Sequence, residues 1–300
     1  MIYTNTAIFQ VAEAPAGSLL LDTYTGAEVA TSIRKLRTAY GGSAMRVRRD
    51  STSTTLDIGF DGSGNLDTDA IETFCAGTTG RVDIWYDQSG NALNMTSTTV
   101  TQMPIIYSAG AVKTLNGLPS LWFDRGGNYA TSKQFTNTSY SNLTNQGEIF
   151  TVAAQTPITV SNPTNYGRIV TMRKSAANDD YNTADQFIGV WAANSPRVYC
   201  ENNSINTPGN TYTAGTPYLI NYGKNSNALF TSLNNNTPTT TLSAPTSNLA
   251  ANRLQIGYDK PAGSDGAMAG YMSEMLTWNS EQSANRSGIK TNINDYFSLY

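Results

Sequence analysis

The chain reads as a mainly-β protein, a sandwich of antiparallel sheets with a few short helices. Three observations predict this. Short segments alternate apolar and polar residues along most of the sequence, as half-buried strands do. Clusters of Gly, Asn, Pro and Ser separate them, the residues that turns require. Ser, Thr and Asn make up about a third of the 300 residues, with 25 Gly and 17 Tyr against only 14% charged residues. A long-helix protein would instead be rich in Ala, Glu, Lys and Leu. The length suits one large β domain with a sizeable core. No repeat or linker divides it, so the expected organisation is an N-terminal arm over residues 1–19 and one domain over residues 20–300.

Taken in order, Ala27 to Tyr40 shows Val29, Ile33, Leu36 and Tyr40 at helical spacing before Gly41-Gly42, which predicts a helix. Met45 and Val47 alternate with arginines, and Leu56, Ile58 and Phe60 with polar residues, predicting two strands. A short helix over Thr68 to Cys75 follows, with Asp69 and Glu72 spaced as in a capping box. Strands are then expected over 81–86, 105–107, 118–123, 148–153, 168–172, 186–191, 197–200, 218–222, 228–233, 253–258 and 271–278. A final helix, about Glu281 to Phe297, would bury Ile289, Ile293, Tyr296 and Phe297.

Composition excludes several chemistries. There is no histidine, which removes Ser-His-Asp and Cys-His catalysis, zincin motifs and His-ligated metals. A net charge of −3 argues against nucleic-acid binding, which needs a basic excess. No run approaches the apolar length of a membrane span, and the first basic residue, Arg34, comes too late for an export signal. Cys75 and Cys200 form no CxxC; two buried thiols or one bond are both open.

Other patterns are ambiguous in a defined way. Asp61, Ser63, Asn65, Asp67, Asp69 and Glu72 fall at positions 1, 3, 5, 7, 9 and 12 of an EF-hand-type calcium loop. Leu66 replaces its glycine and a strand precedes it, so a polar hairpin leading into a capped helix explains the same residues. No cofactor is otherwise expected. The cations Arg34, Lys35, Arg37, Arg46, Arg48 and Arg49 are either an assembly contact or a solvated face. The run Trp85, Tyr86, Asp87, Gln88 and Asn91 could bind a ligand, with aromatic faces for sugars and polar groups for hydroxyls. It could equally be a strand end whose turn residues cap their own backbone.

Several segments occur in a recognisable order: Ala44-Met45-Arg46-Val47-Arg48-Arg49, Asp57-Ile58-Gly59-Phe60, Leu66-Asp67-Thr68, Trp85-Tyr86-Asp87-Gln88-Ser89-Gly90-Asn91 and Gln102-Met103-Pro104-Ile105-Ile106. Together they resemble the catalytic domain of α-L-arabinofuranosidase B, a concanavalin A-like β-sandwich, and its non-enzymatic relatives in bacteriophage virion proteins. The resemblance implies two packed sheets, one with a concave face. It places the family's general acid at Asp259, and at the family's nucleophilic Glu this chain offers Asp185, one methylene shorter. Gly80 stands where the family has a cysteine partner for Cys75. The family's adjacent cysteine pair, secretion signal and C-terminal sugar-binding domain have no counterpart.

From these departures the sequence predicts a bacteriophage virion structural protein, a tail, head-fibre or capsid-decorating component located in the virion. Its lectin-like domain would dock on other virion proteins or on itself as a homo-oligomer, or bind a cell-surface glycan. The alternatives are an arabinofuranosidase-like retaining glycoside hydrolase and a cellular carbohydrate-binding module.

Overall fold

The computed structural model describes residues 18–125, 131–156, 167–173, 187–192, 195–200, 203–206, 213–242, 244, 246–258 and 267–300. Residues 1–17 of the expected arm, Asp185 and Asp259 lie outside them, as does the side chain of Cys200.

In chain order the elements are α1 (Leu20–Thr23), β1 (Val29–Ser32), β2 (Met45–Arg49), β3 (Thr55–Ile58), α2 (Thr68–Cys75), β4 (Gly80–Trp85), β5 (Met95–Thr96), β6 (Ile105–Ser108), β7 (Ala111–Val112), β8 (Thr114–Leu115), β9 (Leu118–Pro119), β10 (Leu121–Phe123), β11 (Phe135–Asn137), β12 (Gln146–Gln155), β13 (Gly167–Arg173), β14 (Phe187–Ala192), β15 (Ser195–Cys200), β16 (Asn203–Asn206), β17 (Tyr218–Asn225), β18 (Ala228–Leu233), β19 (Thr239–Thr241), β20 (Arg253–Ile256), β21 (Gly270–Trp278) and α3 (Arg286–Phe297).

All the strand pairs are antiparallel. One ladder runs β19–β18–β17–β12–β21, and β21 then pairs with β1 along one half and β10 along the other. The second runs β16–β15–β14–β13–β20–β11–β5–β4–β2–β3. Strand β6 pairs with both β10 and β4 and so joins the two at a corner. Between them lies the core. Phe135 of the second ladder packs edge-on to Phe123 of the first and beside Trp85, and the Tyr222 hydroxyl crosses from β17 to the Val170 carbonyl. Burying each such ring is worth about 1.5–3 kcal/mol.

Helix α3 buries Ile289, Ile293 and Phe297, one every four residues, against the first ladder. Because it covers that sheet's outer side, β12 is buried on both faces, whereas a sheet with one wet face would alternate. Helix α2 starts at Asp67, whose carboxylate accepts the Ala70 N–H, and buries Ile71 and Cys75 one turn apart.

The expected helix over residues 27–40 is not formed. Val29–Ser32 is a strand paired with Thr277–Glu274, all four residues buried, and Arg34 bridges to Asn65 beyond it. The β-branched Val29, Thr31 and Ile33 suit a strand, and the free edge of β21 supplies backbone partners that outweigh the helical spacing.

Candidate functional site

Residues directly opposite one another in antiparallel strands project to the same face. Register therefore defines one row across the second ladder: Thr171, Gln255, Thr136, Thr96, Ile84, Arg46 and Asp57. Their sequence neighbours Val170, Met172, Leu254, Ile256, Phe135 and Trp85 are in the core, so the row lies on the face turned away from it. At the β2–β3 end it is open to solvent. There Arg46 clasps both oxygens of Asp57 at 2.8 and 3.0 Å, and the Tyr86 hydroxyl donates to the same carboxylate. Arg46 holds the Asp57 carboxyl below the usual range, and burial with the Asp57 bond pushes the Tyr86 phenol up to about 12.

Toward β20 the row is buried and polar. Arg173 Nη1 donates to Gln255 Oε1 at 3.1 Å, Gln255 Nε2 to Thr136 Oγ1 at 3.2 Å, and Thr96 Oγ1 to the Thr136 carbonyl. Around this chain several buried atoms have no hydrogen-bond partner: Thr171 Oγ1, Arg253 Nε, Asp83 Oδ1 and both amide atoms of Gln134, which is 4% exposed. Orphans of this kind are rare in folded proteins and call for a reason. Burial raises the Asp83 carboxyl, with Arg46 opposing, so it is the acid-capable group beside the row. Amides, hydroxyls and guanidinium groups together donate and accept, a set matched to the hydroxyls of a sugar. The sequence reading overlooked Asp83, Gln134 and Gln255. Polar residues alternating with core residues were its only available signal.

The run from Trp85 to Asn91 knits the end of β4 to residues 27–37. Trp85 is 0% exposed. Asp87 accepts from Ala30 N, Ser89 N and Leu93 N, and from the Ser89 hydroxyl. Gln88 accepts from Leu36 N and donates to the Arg34 carbonyl. Asn91 is exposed, with its amide donating to the Ala27 and Glu28 carbonyls. Within this run, half-buried Tyr86 and Asn91 are the side chains a ligand could reach.

The acidic stretch is likewise engaged locally. Asp61 accepts Ser63 N, Asn65 N and the Asn65 amide, and Asp67 caps α2. Asp61, Asp67, Asp69 and Glu72 are not gathered into a metal-binding group, and none exists among the described residues. The cations are also dispersed: Arg34 on Glu274, Arg46 on Asp57, Arg48 on Asp50, Arg37 on the Ser89 carbonyl and Arg49 over the Phe74 ring.

Two carboxylates are fully buried on the first ladder. Glu274 is held by Ser32 and by Nε and Nη2 of Arg34, and Glu148 by Asn221, Gln282 N and Arg286. Each is matched to a guanidinium fork, which ties Arg34 and α3 to the sheet and leaves neither carboxylate free for chemistry. A single acid inside an otherwise apolar strand was the sequence signal for both.

The proposed acid and nucleophile, Asp259 and Asp185, lie outside the described residues. Ahead of Asp259 stand Gly257 at φ +82°, where a Cβ would sit 2.6 Å from the Lys133 carbonyl, and buried Tyr258.

Residues 22–115 match the family model of the α-L-arabinofuranosidase B catalytic domain. A GH54 arabinofuranosidase soaked with a cyclic sulfate inhibitor superimposes with a TM-score of 0.66 at 17% identity, covering 91% of this chain and 64% of that one. An arabinofuranosidase complexed with arabinofuranosyl-α-1,2-xylobiose gives 0.65 at 16%, with the same coverage. The chain thus spans less than two thirds of these enzymes' length. No curated protein sequence matches it. These findings overturn the expectation of a bacteriophage virion structural protein, because the family model and the superimposed structures are those of arabinofuranosidases. The chain has the β-sandwich fold of the GH54 arabinofuranosidases, and its first third carries the signature of their catalytic domain.

Proposed function

We propose that the chain is a glycoside hydrolase of the α-L-arabinofuranosidase type. The observation that carries this is the catalytic-domain match over residues 22–115 within a fold likeness that takes in 91% of the chain. The polar row from Thr171 to Asp57, with its unpartnered hydroxyl and amide atoms, supplies groups of the kind that orient sugar hydroxyls.

In the retaining mechanism this reading implies, Asp185 attacks the anomeric carbon while Asp259 protonates the departing glycosidic oxygen. Asp259 then removes a proton from the water that releases the sugar from Asp185. The Asp185 carboxylate is one methylene, about 1.5 Å, shorter than the Glu it would replace, and attack geometry tolerates little misplacement.

The test is release of 4-nitrophenol from its α-L-arabinofuranoside, with an arabinose-bearing oligosaccharide in parallel. Turnover is expected for the wild-type chain. Asp185→Asn should remove it on both substrates. Asp259→Asn should cost about 10²–10⁴-fold on the oligosaccharide, whose leaving group needs a proton, and less on the nitrophenyl substrate. Activity that survives Asp259→Asn but not Asp83→Asn would move the acid to Asp83. Folded protein with no release above buffer on either substrate would overturn the reading.

A further inference from the structure

On the side of the sandwich covered by α3, a cleft of about 540 Å³ opens between that helix and the turn joining β18 to β19. We propose that this cleft binds an oxyanion, a phosphate, sulfate or carboxylate group, seated between Lys290 and Arg286. Two cations line it, and no Asp or Glu side chain does.

Lys290 is 4% exposed, and its ammonium donates to Ser232 Oγ at 2.7 Å and the Asn236 carbonyl at 3.0 Å. Both partners are neutral, and an ammonium has three N–H donors, so one donor is unassigned. Arg286 directs Nε and Nη2 to the two oxygens of Glu148, and Nη2 also to Glu281. Its guanidinium lies 4.6 Å from the Phe230 ring centre, which fixes its plane. Nη1 has no protein partner. The Glu148 and Glu281 carboxylates bond to Arg286 and make no hydrogen bond to Lys290, so the Lys290 ammonium has no direct ion-pair contact and keeps one N–H for a ligand in the cleft.

Thr237 and Ser287 add hydroxyls to the walls. Tyr300 is fixed as a third wall by its hydroxyl bond to the Lys290 carbonyl and its N–H to Asn294 Oδ1. Charge-assisted bonds from two cations plus neighbouring hydroxyls suit a compact oxyanion. A neutral sugar offers no anionic acceptor to these two cations and gains less from them.

Burial and Arg286 lower the Lys290 ammonium to about 8, with Glu148 opposing. The other charged or titratable groups at or beside the cleft are Glu281 ahead of α3, the Tyr300 phenol and Asp295, whose charge acts on that phenol. Since only the protonated amine attracts an anion, affinity falls as pH rises through 8.

The experiment is calorimetric titration of the whole chain with inorganic phosphate, sulfate and glucuronate, with glucose as the neutral control. Wild type should bind at least one anion and not glucose. Lys290→Met should weaken that binding about tenfold or more, while Lys290→Arg retains most of it. Sulfate, whose own charge is constant, should bind about tenfold more weakly at pH 9 than at pH 7. Should Lys290→Met fail to fold, Ser287→Ala provides the wall variant and should weaken binding measurably. Preference for phosphate or sulfate identifies a free inorganic ion, and preference for glucuronate a sugar acid. No heat with any of the three anions, equal binding of glucose, or unchanged affinity in folded Lys290→Met would overturn the proposal. These readouts need no turnover, so they stand apart from the hydrolase reading.

Discussion

At the scale of single residues, the polar groups with the clearest structural duty are those that satisfy buried backbone. Asp87 accepts three main-chain N–H groups and one hydroxyl across two chain segments. Asp87→Ala would strand those donors, and we expect a loss of about 2–4 kcal/mol in urea unfolding. Asn91→Ala, at an exposed site, should cost much less. Lys290 makes a pH-dependent prediction. Its folded value of about 8 lies below the ordinary 10.5 of a lysine, so the unfolded chain holds more protons between these values. Its contribution to stability is therefore unfavourable below pH 8 and improves as pH rises toward 10.5. Urea midpoints of wild type and Lys290→Met, compared from pH 7 to 10, should shift in favour of wild type with rising pH. A constant difference would show that Lys290 titrates normally. The comparison with Met matters because Tyr40 and Tyr296, each pushed up to about 12 by burial, act in the opposite sense above pH 10.

At the scale of elements, helix α2 and strand β4 show how one residue change rewires a contact. Cys75 is a free, buried thiol, and burial raises it above its ordinary range. A Cβ built on Gly80 would lie 2.5 Å from its sulfur. Gly80→Ala should therefore destabilise the chain by about 1–3 kcal/mol through overpacking. Gly80→Cys should instead bond to Cys75 under oxidising conditions, seen as a loss of free thiols and a higher Tm than its reduced form. Persistence of two free thiols would mean that the two backbones are not close enough to bridge. The elements also separate what periodicity can reveal from what it cannot. Helices α2 and α3 carry an apolar stripe, and both were legible, although Asp67 rather than the expected Asp69–Glu72 box caps α2 and no side chain caps the start of α3. Strand β1 was not, because Val29, Ile33 and Leu36 satisfy a helical pattern and only pairing with β21 decides otherwise. Two-residue strands such as β5, β7, β8 and β9 are too short for any alternation to register.

At the scale of the whole molecule, the hydrolase reading and the cleft on α3 occupy opposite sides of the sandwich. One rests on the polar row of the second ladder, the other on the helix that covers the first. The sequence by itself determined the β-rich class, the main strands, the terminal helix, the absence of histidine chemistry and the likeness to an arabinofuranosidase catalytic domain. These are properties of composition, period-two alternation and short local motifs, all written within a few residues of one another. Only the tertiary structure decided which polar residues meet. Thr96, Thr136, Thr171 and Gln255 are far apart in sequence yet form one row, since strand register, not chain distance, aligns them. Glu148 with Arg286, and Glu274 with Arg34, look like isolated charges until the fold buries each pair, where an unmatched charge would not survive. Lys290 reads as an ordinary helical lysine, and becomes a buried cation bonded to Ser232 and the Asn236 carbonyl only because α3 lies over β18.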